Sequence, residues 1–504
     1  MNYDHQLEPS FTDELYEWME RAPWLALSLS LHAIVLLILV LIPWHLFSPK
    51  EEAIFVTQID SQELAQFEDP LPPEPLETEP VEDQVVEPTL NETTPEDSPD
   101  NEEPFEDFAE GDPEFISNAP FEDFASNMLL GVGPGAGNKY GNRFKGDSGG
   151  GGSSSRTRGS LDVGLRWLVD HQDSDGKWDA DGFAKHDPGS DVCDGAGEGE
   201  HDVGVTGLAL LALLGDGHTT RRGAYRENVS RALQWLRAQQ DLDTGMFGER
   251  LGHSYLYSHA IATLAVSEAY YFSKSPILKG TAQRAVNFIS RARNPYGAWR
   301  YESPPNGDQD TSVTGWMVLA LRSAQDAGLR VDSQAFSGAL AWLDGVTDDV
   351  TGRVGYDSEG SASSRIPGVN DHFPTNRTEC MTAVGLLSRF FLGQDPSEDP
   401  ILRRHADLLQ TALPEWNPDG LTNDLYYWYY GSYAMFQMGG AHWQRWNRAM
   451  KKAVLESQRT DGSARGSWDP IGPWGHAGGR VYSTALGVLC LEVYFRYTRI
   501  LGGR

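Results

Sequence analysis

Cysteine is scarce in this chain of 504 residues: Cys193, Cys380 and Cys490 are all there is. They are odd in number, far apart and outside any C-x-x-C spacing, which argues against a disulfide framework or a thiolate metal site. They read as small core residues. A second absence is of positive charge. Between residues 51 and 130 there is no Lys or Arg against 25 Asp and Glu. The net charge of -33 is therefore local, since taking those 25 away leaves -8 for the rest. A tract of one sign repels nucleic acid and anionic lipid, and neither is expected as a partner. The same tract holds 11 prolines and little apolar surface, too little to offset chain entropy, so it is expected to be disordered and extended. Residues 131 to 159 turn Gly- and Ser-rich, which makes a flexible joint. Together these stretches give a linker over residues 48–159.

Charged side chains are missing from one more place. From Trp24 to Trp44, 21 residues carry none, a length that matches the ~30 Å hydrocarbon core of a bilayer at helical rise. A transmembrane helix is expected over residues 23–47, behind an N-terminal tail of residues 1–22, with Trp24 and Trp44 at the interfaces. A cleaved signal peptide fits less well, because the preceding segment is acidic and no small-residue cleavage site follows. Within the span, Ser28 and His32 lie one helical turn apart, and an intramembrane histidine is a functional candidate because it is costly there. The Ser-x-x-x-His pair and the Glu-Pro-rich tract after it resemble the N-terminus of TonB-type energy transducers. That resemblance implies a cytoplasmic N-terminus, a C-terminal domain in the periplasm or outside, and inner-membrane proton-channel proteins as partners.

The hexapeptide Pro-Phe-Glu-Asp-Phe-Ala occurs twice in the tether, at residues 104–109 and 120–125, where a docking peptide and a duplication without function are both open. Beyond it, residues 160–504 alternate two kinds of helical segment six times. Apolar segments at Asp202 to Leu214, Tyr257 to Phe272, Asp310 to Ala327, Thr378 to Leu392, Asp424 to Met438 and Val481 to Tyr497 are hydrophobic nearly all round, as inner helices are. Each is preceded by an amphipathic segment that keeps one charged face for solvent. The expected fold is all-α: a closed double ring of six helical hairpins.

The loops inside the hairpins repeat as well. Gln172-x-x-x-Gly176-x-Trp178, Gln240-x-x-x-x-Gly245-x-Phe247 and Arg293-x-x-x-Gly297-x-Trp299 share a polar cap, a Gly able to take positive φ and an aromatic that folds back. Gln458-x-x-x-Gly462 followed by Trp468 is a looser copy. This pattern resembles the QW repeat of squalene-hopene cyclases and the related repeat of protein prenyltransferases, which implies an α6/α6 toroid with a funnel at the N-terminal ends of its inner helices. The families' chemistry does not carry over residue by residue. Of the Asp, Cys and His that hold zinc in prenyltransferases, Asp424 is kept, but Tyr426 and Ser483 stand at the other two positions. No metal is expected there, and nothing in the pattern requires a cofactor. The cyclases' D-x-D-D-T run reads Asp308-Gln309-Asp310-Thr311, so Gln309 takes the place of the proton donor. Asp308 and Asp310 remain as candidate catalytic carboxylates, with Asp310 equally readable as a helix cap.

Candidate ligand-binding residues at the mouth are Asp202, His259, Trp316, Glu379, Asp424, Tyr426, Tyr427, Trp428 and Tyr482, an acidic rim over an aromatic wall. Three functions stay open: a toroid that binds an apolar, isoprenoid-like or peptide ligand without turnover, a divergent terpenoid cyclase or prenyltransferase relative, and an envelope interaction module on a TonB-like anchor. A thioester toroid is excluded by the lack of a Gly-Cys-Gly-Glu-Gln run.

Overall fold

The computed structural model describes residues 155–295 and 297–496, together with His32. The expected membrane helix with Ser28, the tether and both hexapeptides lie outside the described residues. Among the described residues no helix is long and apolar enough to cross a membrane.

Among the described residues, six outer and six inner helices alternate. The outer ones are α1 (Ser155–Asp170), α3 (Arg226–Ala238), α5 (Pro276–Ala292), α7 (Ser333–Gly345), α9 (Pro400–Leu409) and α11 (Gly440–Ser457). The inner ones are α2 (Asp202–Gly215), α4 (Tyr255–Ser273), α6 (Thr311–Asp326), α8 (Cys380–Phe391), α10 (Leu425–Met438) and α12 (Gly475–Leu491), and a short α13 (Val493–Arg496) ends the described chain. Composition explains the sorting. In α2 every residue after Asp202 is buried, whereas α3 buries only Val229, Ala232, Leu233 and Leu236, one stripe at helical spacing. Inner neighbours pack in sequence, and α12 packs back on α2, closing the ring. Each later outer helix packs against the inner helix before it, and α1, which has none, packs on α12. The fold is an α/α toroid.

Hairpin loops lock the two rings together. In the first, Gln172 donates to Gly176 O at 2.9 Å and to Asn228 O at 3.0 Å, tying the loop to the next outer helix. Trp178 folds back so that its indole N–H reaches Leu168 O at 2.6 Å. Gly176 sits at φ +110°, and a Cβ there would stand 2.3 Å from Arg231 O, so glycine is needed twice over. Gln240 repeats the tie to Thr281 O at 3.0 Å, and Gln458 makes it to Ser160 O at 2.8 Å, joining the last outer helix to the first.

Some details differ from the sequence expectation. Gln458 binds Gly466 O, so Gly466, two before Trp468, holds the repeat position instead of Gly462. Gly297 does not adopt a positive φ; it is small because the Gln309 side chain fills the space a Cβ would need. A further copy, too degenerate to see in sequence, starts at Gln410, which donates to His442 O at 3.0 Å. At the C-terminal end of the inner ring, Arg496 is fully buried and joins Glu268 of α4 at 2.6 Å, Glu492 at 3.2 Å and Leu211 O of α2 at 2.7 Å.

Candidate functional site

At the starts of several inner helices a polar side chain is tied to a neighbouring loop. Asp202 accepts from Ala180 N at 2.9 Å and from Lys177 at 2.6 Å. Glu379 takes Arg353 through both carboxylate oxygens. Asp424 caps α10 by accepting from Tyr427 N at 3.0 Å, and Thr378 Oγ1 donates to its second oxygen at 3.2 Å. On α12 the polarity is reversed, with Arg480 bonded to Asp469 at 2.6 Å. The acidic rim expected from sequence is therefore a set of separate ties at the starts of α2, α8, α10 and α12.

Asp310 is the tie left incomplete. It is fully buried and caps α6, accepting from Val313 N at 2.7 Å. Its other oxygen is 3.8 Å from Arg300 Nε and 3.5 Å from the Tyr356 hydroxyl, too far for strong partners. Burial therefore prevails over the Val313 N–H and the Arg300 charge and pushes its carboxyl up to about 7. Around it, Arg300 lies over the rings of Tyr301 and Tyr356 at 5.3 and 5.5 Å, the hydroxyls of those two tyrosines are hydrogen-bonded, and Tyr257 adjoins Tyr301 at 6.4 Å. Asp308 is not part of this group. Its side chain is exposed and accepts from Asn306 at 3.0 Å, so the Asp308/Asp310 pair read from sequence is split between solvent and core. Gln309 donates nothing to the cluster; its carbonyl accepts from Ala298 N and holds the loop.

The aromatic run divides by direction. Trp316 of α6 stacks on Tyr426 at 6.1 Å and Tyr429 at 5.6 Å and meets Tyr430 edge-on at 5.3 Å. The Tyr426 hydroxyl lies 2.9 Å from Ser312 Oγ. Tyr427 points outward, donating to Ala412 O at 2.9 Å against Trp446, and Trp428 packs on Trp416. These two belong to the seam with the outer ring and leave the candidate list. Trp316, Tyr426, Tyr429 and Tyr430 are buried, whereas Tyr257, Tyr301 and Tyr482 are half-buried and form the accessible edge.

His259 is also corrected. Four other inner helices carry a threonine that accepts from the backbone N–H of the loop's fold-back residue: Thr206 for Trp178, Thr314 for Trp299, Thr382 for Val354 and Thr484 for Trp468. His259 replaces that threonine, its Nδ1 accepting from Phe247 N at 3.0 Å and its Nε2–H donating to Ala285 O at 3.2 Å. Complete burial keeps it neutral, its pKa lowered to about 3. The partners of Asp310 were missed in sequence, although Trp299-Arg300-Tyr301 and Val354-Gly355-Tyr356 stand at matching repeat positions.

The chain matches no protein-family model and no curated sequence. Among solved structures it is similar to the GH76A alpha-1,6-mannanase from Salegentibacter sp. HEL1_6, at 11% identity over 67% of this chain and 98% of that one, with a TM-score of 0.45. The type II terpene cyclase MstE from Scytonema aligns at 14% identity over 67% and 97%, with a TM-score of 0.42. A novel alpha-amylase from Clostridium perfringens aligns at 10% identity over 67% and 97%, with a TM-score of 0.43.

Proposed function

We propose that this toroid is a ligand-binding module, held at a membrane by the N-terminal span, that takes an apolar, isoprenoid-like or peptide ligand against its aromatic mouth without the chemistry of the cyclases and prenyltransferases its repeats resemble. The observation that carries this reading is the composition of the mouth. Half-buried Tyr257, Tyr301 and Tyr482 border a wall of stacked Trp316, Tyr426 and Tyr429, and most carboxylates around it are occupied as structural ties. Aromatic faces of this kind hold extended apolar chains and cationic ends, the latter for ~0.5 to 2 kcal/mol. The test is native mass spectrometry with lipid extraction of the purified chain. A co-purifying apolar molecule that Tyr257→Ala or Tyr482→Ala releases, with unchanged thermal melting, supports the reading. An empty wild type, or retention by both variants, defeats it.

One observation favours a second reading, a divergent enzyme. Asp310, with its carboxyl pushed up to about 7, keeps its proton in a sizeable fraction of molecules near neutrality beside an aromatic wall, as a general acid requires. Loss of turnover in Asp310→Asn with binding unchanged would select it. The anchor reading carries its own proposal, that Ser28 and His32 engage an inner-membrane proton-channel partner from a cytoplasmic N-terminus.

A further inference from the structure

The loop between α1 and α2 brings together three side chains that neither the toroid frame nor the mouth uses. We infer that His171, Asp187 and Cys193 form a zinc site with a fourth position open to an adjoining surface cavity. Their ligand atoms all lie within 4.8 Å of one another. His171 Nε2 is 2.9 Å from Asp187 Oδ1, and Cys193 Sγ is 3.4 Å from the same oxygen. Tetrahedral zinc with bonds of about 2.0 to 2.3 Å holds neighbouring donors about 3.4 Å apart, so the two separations from Asp187 Oδ1 need shifts of at most about half an ångström, while His171 Nε2 and Cys193 Sγ stand within 4.8 Å of each other.

The hydrogen bonds behind these atoms select a cation. His171 Nδ1 lies 2.7 Å from Trp167 O, which can only accept, so Nδ1 carries the ring proton and Nε2 is the nitrogen aimed at Asp187. A bare Nε2 facing a carboxylate oxygen at 2.9 Å needs positive charge between them, supplied by a metal ion or a second ring proton. Histidine ligands characteristically donate their other N–H to a backbone carbonyl, which fixes tautomer and orientation. Asp187 is oriented in the same way, its Oδ2 accepting from Cys193 N at 2.7 Å. Imidazole, carboxylate and thiolate together suit zinc better than calcium or magnesium. His186 is not a fourth ligand, since its Nε2 is held by Asp173 at 2.7 Å.

Two of the three ligands, His171 and Asp187, also line a cavity of about 750 Å³ with Trp167, His186, Tyr225 and Arg465, from which a fourth ligand can reach the ion. Three protein ligands and one exchangeable position is the arrangement of zinc sites that bind water or a small anionic ligand. Cys193 loses its thiol proton to solvent when the metal enters.

The experiment uses the full-length chain, equilibrated with Zn²⁺ or Co²⁺ and gel-filtered. Expected are one zinc per chain and, with cobalt, tetrahedral visible bands plus a thiolate-to-metal charge-transfer band. Cys193→Ser abolishes the charge-transfer band, and His171→Ala lowers metal affinity by about tenfold or more. Should either variant fail to fold, wild-type alkylation gives the answer, because zinc then slows modification of Cys193 without altering that of Cys380 or Cys490. A wild-type chain that takes up no metal overturns the inference and leaves an imidazolium–carboxylate bridge. So does a charge-transfer band that survives in Cys193→Ser, or alkylation of Cys193 at the same rate with and without zinc.

Discussion

Two buried residues give this domain opposite responses to pH. Asp310 has a folded pKa of about 7 against a model-peptide value of 3.8, so between those values the folded state keeps a proton that the unfolded chain has lost. Stability from this residue therefore falls as pH rises from about 4 to 7 and is level above, a change on the order of 4 kcal/mol at about 1.4 kcal/mol per pH unit. His259 runs the other way. Its folded pKa is about 3 against 6.5, so the unfolded chain binds a proton that the folded one does not, and stability is lost as pH falls from about 6.5 towards 3. Denaturant unfolding of Asp310→Asn is expected to show a gain over wild type at pH 8 that vanishes near pH 4, since asparagine still caps the helix. His259→Thr, which restores the threonine of the other repeats, is expected to resist acid better than wild type by a few kcal/mol near pH 4. Identical pH profiles for wild type and both variants would refute the account of their burial.

At the scale of elements, stability rests on the loop that locks each outer helix to the next. Gln458 spends its amide on Ser160 O and Gly466 O, and its carbonyl accepts from Ser160 Oγ at 2.5 Å. Gln458→Ala leaves two part-buried carbonyls without that donor, and a cost of about 1 to 3 kcal/mol in unfolding free energy is expected. Gly176→Ala is expected to cost more, because it combines a left-handed backbone with a Cβ 2.3 Å from Arg231 O that neither helix can relieve. Equal stability of Gly176→Ala and wild type in denaturant titration would mean that the loop does not approach α3 as described. The same repeat logic explains His259: the position demands an acceptor for a loop N–H, and imidazole supplies it as threonine does.

For the whole molecule, closure is the governing feature. The first outer helix packs on the last inner one, so the ring has no free end, and the domain is expected to unfold as one unit. Limited proteolysis of the full chain should cut between residues 51 and 159 and leave a resistant fragment of about 340 residues, because a tract of that proline-rich, then glycine- and serine-rich composition is expected to be disordered, and disordered chain is the preferred substrate. Loss of the toroid at the same protease dose would refute that division. The sequence by itself determined the six hairpins, because an apolar stripe that covers a whole helix can be satisfied only inside a second layer, and the Gln-x-x-x-Gly-x-Trp spacing marks where the layers join. It also identified Asp310 and Asp424 as helix starts, since capping is a local matter of three or four residues. Which carboxylate is paired and which is not was decided only in three dimensions. Asp202, Glu379 and Asp424 look like Asp310 in sequence, yet they have close partners while Arg300 stops at 3.8 Å from Asp310. Likewise His171, Asp187 and Cys193 have no recognisable spacing, because a loop that folds back on its own helix sets their distances by path, and linear separation carries no record of it.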